Sequence, residues 1–129
     1  MAGRFLLDTN IVIALFAGES AVRGQMGQAD EVFLPSVVLG ELYFGARKSN
    51  RVPENLRRID QLATRSTILG CDLETAGEYG VIKNELRQKG RPIPDNDIWI
   101  AAIARQYGLT LVTRDGHFGD IGGLNLQVW

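Results

Sequence analysis

Short apolar runs alternate with helical segments along the whole chain, and that alternation limits the fold more than any other feature. Residues 5–7, 31–34, 67–71, 109–113 and 124–129 read as strands. Helical patterns fill residues 11–17, 20–28, 36–48, 54–66, 72–89 and 98–107. Gly18, Gly90 and Gly108 stop three of these helices, and Pro35 closes the second strand. Thr9 or Asn10, Ser36, Asp72 and the Asp95–Asn96 pair stand where helix caps belong. Strands separated in this way predict a parallel five-stranded α/β sheet with helices on both faces. At 129 residues the chain is expected to form one domain, spanning 1–129.

Four acids stand where such a sheet places chemistry. Asp8 follows the apolar run Phe5-Leu6-Leu7, and Asp115 follows Leu111-Val112-Thr113-Arg114. In open parallel sheets, ligands bind beyond the carboxyl ends of the strands. Asp97 opens a helix whose next residues, Ile98 to Ile103, are apolar on every face. Glu41 lies among Val37, Val38, Leu42, Tyr43 and Phe44, where an isolated carboxylate is costly to bury. Each acid also has a plain reading: Asp8 as a cap, Asp97 as a first-turn acid, Asp115 as a turn residue before Gly116. Gathered in one crevice, four carboxylates repel one another unless a cation holds them. An all-oxygen donor set suits a hard ion, Mg²⁺ or Mn²⁺, which commonly activates water for phosphoryl chemistry. His117, the only histidine, is expected to be a structural loop residue, and Cys71 a core residue of the third strand.

Other classes find less support. No apolar run approaches the roughly 20 residues of a membrane span. No export signal is evident, and a single cysteine forms no intrachain disulfide, so a cytoplasmic protein is expected. No phosphate-binding loop or dinucleotide fingerprint occurs among the 15 glycines. The net charge is −1, but residues 47–65 carry six bases (Arg47, Lys48, Arg51, Arg57, Arg58, Arg65) against Glu54 and Asp60. That segment could guide a nucleic-acid backbone or simply be a solvated helix face.

Leu7-Asp8-Thr9-Asn10, Gly40-Glu41-Leu42, Asn96-Asp97 before Ile100-Ala101-Ala102, and Thr113-Arg114-Asp115 resemble, in order, the motifs of the PIN-domain ribonucleases. The ending from Ile121 to Trp129 is similar to their VapC branch, the toxins of type II toxin–antitoxin systems. The resemblance implies a PIN-like α/β/α sandwich. It places Asp8, Glu41 and Asp97 on the family's three core acidic positions and Asp115 on a more variable fourth. Thr9, Asn10, Asn96 and Thr113 would orient the carboxylates or waters. Asp8 and Asp97 would be the principal metal ligands, Asp115 a further one, and Glu41 the group that orients or deprotonates water.

The implied activity is Mg²⁺-dependent endoribonucleolysis, leaving a 3′-hydroxyl and a 5′-phosphate. The implied partners are an RNA substrate, a second copy of the chain, and a VapB-like antitoxin that places a basic side chain among the acids. Two other classes compete. A catalytically silent PIN-like RNA- or protein-binding module need not keep four mutually repelling acids. An aspartyl phosphatase of the haloacid dehalogenase type would use Asp8 as nucleophile, but it wants an aspartate where Asn10 stands.

Overall fold

The computed structural model describes residues 3–129. Five strands, β1 (Arg4–Leu7), β2 (Glu31–Pro35), β3 (Thr67–Leu69), β4 (Thr110–Val112) and β5 (Leu126–Gln127), form one sheet in the order β3-β2-β1-β4-β5. Every pairing is parallel. Six helices intervene: α1 (Thr9–Phe16), α2 (Ser20–Gln28), α3 (Ser36–Arg47), α4 (Val52–Thr64), α5 (Leu73–Lys89) and α6 (Asp95–Tyr107). The chain runs outward from β1 to β3, then returns through α5 and α6 to β4 on the other side of β1. Right-handed crossovers in opposite directions place the two helix groups on opposite faces, as the alternation predicts.

The middle of the sheet is dry. Leu6, Leu7, Leu34, Leu111 and Val112 are fully buried, as continuous apolar strands between two helical layers must be. Helix α6 is the most buried helix, with Ile98 and Ile100 to Ala104 all in the core. Its first turn is thereby fixed against the sheet, and Asp97 with it. Trp99, partly exposed, stacks on Tyr79 of α5 at 4.0 Å between ring centroids. Helix α5 has a complete capping box between Asp72 and Thr75. Gly90 and Gly108 end α5 and α6 at φ of 67° and 64°, left-handed conformations that favour glycine.

Several local expectations are corrected. The cap of α1 is Asp8 itself, whose side chain accepts from the Thr9 amide, rather than Thr9 or Asn10. Ser36 and Asp95 begin their helices instead of capping them, because Pro35 and Pro94 occupy the cap positions. Cys71 lies beyond the end of β3 and is exposed, not core. β5 shrinks to two residues because it is an exposed edge strand. Helix α3 is not apolar all round in its packing, since Phe44 is 66% exposed.

Leu111→Ala, in the centre of the sheet, is expected to lower stability by roughly 2–5 kcal/mol. Leu73→Ala, at a side chain 90% exposed, is expected to change it by less than about 0.5 kcal/mol. Urea unfolding of the two variants beside the parent checks both values.

Candidate active site

The strand order reverses direction between β1 and β4, and the acids gather at the carboxyl ends of these two neighbouring strands. Asp8 leaves β1 with its amide bonded to the Val112 carbonyl of β4 at 3.0 Å. Its carboxylate is only 4% exposed. One oxygen, Oδ1, accepts from the Thr9 amide at 2.8 Å, and the other, Oδ2, accepts from the Thr113 hydroxyl at 2.7 Å. A carboxylate so buried needs such donors. Thr113, itself buried, lies directly after β4, and its hydroxyl also accepts from the Asp115 amide at 3.0 Å. One threonine thus positions Asp8 and the turn that carries Asp115.

Glu41 enters from α3. The Thr9 hydroxyl donates to its Oε1 at 3.1 Å, so Thr9 spaces Asp8 and Glu41 through two different groups. Asn10 plays another part: its side-chain oxygen accepts from the Arg114 amide at 3.3 Å and so ties α1 to the turn after β4. Asn96 is exposed in the first turn of α6 and lines the same cleft. That cleft has a volume of about 470 Å³ and is lined by Asp8, Glu41, Asp97 and Asp115 together with Thr9, Asn96 and a fifth acid, Asp95, which is paired with Lys83 at 3.0 Å. Four acids distant in sequence therefore share one opening.

Their charges interact. Partial burial raises the Glu41 carboxyl above its ordinary 4.5, and the charges of Asp8 and Asp97 raise it further, against the Thr9 hydrogen bond. Burial also raises Asp97, with Asp8 and Asp115 adding to the effect and His117 opposing it. A cleft that makes ionised carboxylates costly is one in which a bound cation is strongly favoured. The donor set fits a hard divalent ion.

His117, expected as a structural loop residue, stands beside two of the acids. Its Nε2 lies 2.9 Å from Asp97 Oδ2, and its Nδ1 lies 3.2 Å from Asp115 Oδ1. Asp97, Asp115 and His117 offer ligand atoms that all lie within 4.8 Å of one another. The only signal was its spacing: two residues after Asp115, across the short 3₁₀ helix Gly116–Asp120 that folds the loop back.

Comparison with known proteins agrees with this architecture. The PIN domain family model matches residues 5–124, and the chain belongs to the PIN-domain family. Ribonuclease VapC2 of Haemophilus influenzae is 38% identical over 129 residues, covering 98% of each chain. The tRNA(fMet)-specific endonuclease VapC of Shigella flexneri is 36% identical with the same coverage. At this similarity the chain belongs, within the PIN domains, to the VapC family. In the crystal structure of VapBC2 from Rickettsia felis bound to a promoter DNA fragment, a chain 30% identical superposes with a TM-score of 0.91, covering 98% of each chain. Among the described residues, no helix is long and apolar enough to cross a membrane.

The raised Glu41 carboxyl has a consequence for stability. The native state binds that proton more tightly than the unfolded chain does, so Glu41 costs stability as pH rises above about 4.5. In chelator, Glu41→Gln is expected to melt with the parent near pH 4 and roughly 1–4 °C above it at pH 7. Calorimetry across that range checks the sign.

Proposed function

We propose that this protein is a divalent-metal-dependent endoribonuclease, the toxin of a type II toxin–antitoxin pair. The observation that carries the reading is the convergence of Asp8, Glu41, Asp97 and Asp115 on one cleft, where burial and mutual charge raise Glu41 and Asp97 together. Asp8 and Asp97 would hold the ion, Mg²⁺ or Mn²⁺, with Asp115 completing the set. When bound, such an ion supplies positive charge to the scissile phosphate and lowers the pKa of a coordinated water.

The chain's own groups do the rest. The Thr9 hydroxyl occupies Glu41 Oε1, which leaves Oε2 to accept the proton of the attacking water. A carboxylate raised above the usual range is better matched to that task near neutral pH. The water oxygen bonds to phosphorus, the P–O3′ bond breaks, and its electron pair leaves with O3′, which takes a proton from solvent. The products are a 3′-hydroxyl and a 5′-phosphate. Thr113 and the Thr9 amide hold Asp8 still throughout, so little reorganisation is needed.

The substrate class is a structured cellular RNA, such as a transfer RNA, which places the protein in the cytoplasm. The Shigella relative named for tRNA(fMet) supports that class. The partner is a VapB-like antitoxin that sets a basic side chain among the acids, supported by the VapBC complexes of Rickettsia felis and Salmonella typhimurium. Homodimerisation belongs to the same reading. A silent binding module has no use for a cleft that holds four acids at such cost. The phosphatase reading fails on Asn10, which is engaged with the Arg114 amide.

Incubating RNA with the purified protein in Mg²⁺ or Mn²⁺ is expected to give cleavage with 5′-phosphate ends. Chelator, Asp8→Asn or Asp97→Asn should each reduce the rate by roughly 100-fold or more. Undiminished cleavage in chelator or in both variants overturns the metal-centred mechanism.

A further inference from the structure

Beyond the acidic cleft, on the surface between α1, α2 and α4, a groove of about 350 Å³ is edged by Arg23, Arg58, Gln61 and Arg65 over the apolar floor of Phe16 and Leu62. No acid lines it. Arg58 is fixed there: its guanidinium lies over the Phe16 ring, 4.6 Å from the centroid, and donates to the Phe16 carbonyl. None of the three arginines takes part in an ion pair among the described residues. Asp30 and Glu31 line a neighbouring hollow that Arg23 and Arg65 also line, and Glu31 is paired with Arg4 at 3.4 Å. Three arginines that line one groove and form no ion pair among the described residues are a match for phosphates, which their planar forks bind bidentately.

The groove leads to the acids. Phe16 and Arg58 also line the adjoining depression, which extends over Leu42 and Ala46 to Thr9, Ile13 and Glu41. Those last three residues form part of the wall of the acidic cleft. A strand lying in the groove therefore has a continuous path to the reacting centre. Resting on the nuclease reading above, we propose that Arg23, Arg58 and Arg65 form a docking site for the phosphate backbone of the RNA substrate, to one side of the scissile bond. The site selects for a polyanionic strand long enough to reach from the arginines to the acids. It makes no base-edge contact, so it supplies affinity and register rather than sequence preference.

The test measures binding separately from cutting. Fluorescence anisotropy of a labelled single-stranded oligoribonucleotide is followed over a salt series, with the Asp97→Asn protein as parent. Arg23→Ala/Arg65→Ala, at two exposed positions, is expected to make the slope of log K against log salt shallower by about 1.4, two contacts at roughly 0.7 each. Affinity at low salt should fall at least about tenfold, Arg23→Lys/Arg65→Lys should restore the slope, and Arg87→Ala on α5 should leave it unchanged. In the protein with all four acids intact, the alanine pair should raise KM for a long RNA and leave kcat unchanged. An unchanged slope and affinity overturn the docking site. So does a loss confined to binding of a protein partner. RNA that is bound with the expected salt dependence but never cut overturns the nuclease reading alone, and RNA that is cut with an unchanged slope overturns the docking site alone.

Discussion

The buried carboxylate of Asp8 is the point on which the rest of this structure depends. It stands at the junction of the two central strands, bonded through its amide to β4 and through its side chain to Thr9 and Thr113. The two side-chain bonds repay part of the cost of burying the carboxylate. They also make one group serve three purposes. Asp8 caps α1, fastens the turn after β4 through Thr113, and supplies the charge that shifts Glu41 and Asp97. The cap and the proposed active-site roles of Asp8 are compatible, since capping fixes its carboxylate at the edge of the cleft.

Around it the protein keeps an arrangement that folding alone would not favour. Glu41 comes from α3, Asp97 from the first turn of α6, and Asp115 from the turn beyond β4. Burial first, and then the neighbouring carboxylates, raise Glu41 and Asp97, which leaves the cleft in need of positive charge. Two devices offset this. Asp97 lies at a helix N-terminus, where the dipole favours an anion. His117 sits between Asp97 and Asp115 and, when protonated, supplies a cation. A divalent ion and the basic side chain of an inhibitory partner would answer the same need, so activity and its inhibition would draw on a single electrostatic deficit.

Charge is segregated around the molecule in a way the near-zero net charge conceals. Acids crowd one end of the sheet, and arginines that form no ion pair among the described residues gather on the α1–α2–α4 surface. The first is suited to a metal and the second to a phosphate chain. Both features have to be arranged on one continuous surface before either acts on a long polyanion, and the apolar depression that joins them supplies that continuity.

Much of this was legible in the residues themselves. The apolar runs fix where the strands lie because only two-sided burial tolerates them, and the glycines at 90 and 108 mark helix ends by the backbone angle they adopt. The four acids stood out because each follows, opens or interrupts an apolar segment. Local chemistry was less legible where neighbours compete: a proline took the cap position beside Ser36 and beside Asp95, and Cys71 fell just past a strand that stops at Leu69. The order of elements, the parallel sheet and the candidate acids can be read along the chain, since periodicity and burial are written there. That Thr113 holds Asp8 across 105 positions, that His117 lies between two acids, and that Arg23 joins Arg58 and Arg65 in one groove comes from the folded arrangement alone. Those relations depend on strand order and crossover direction, which bring together residues that no local pattern connects.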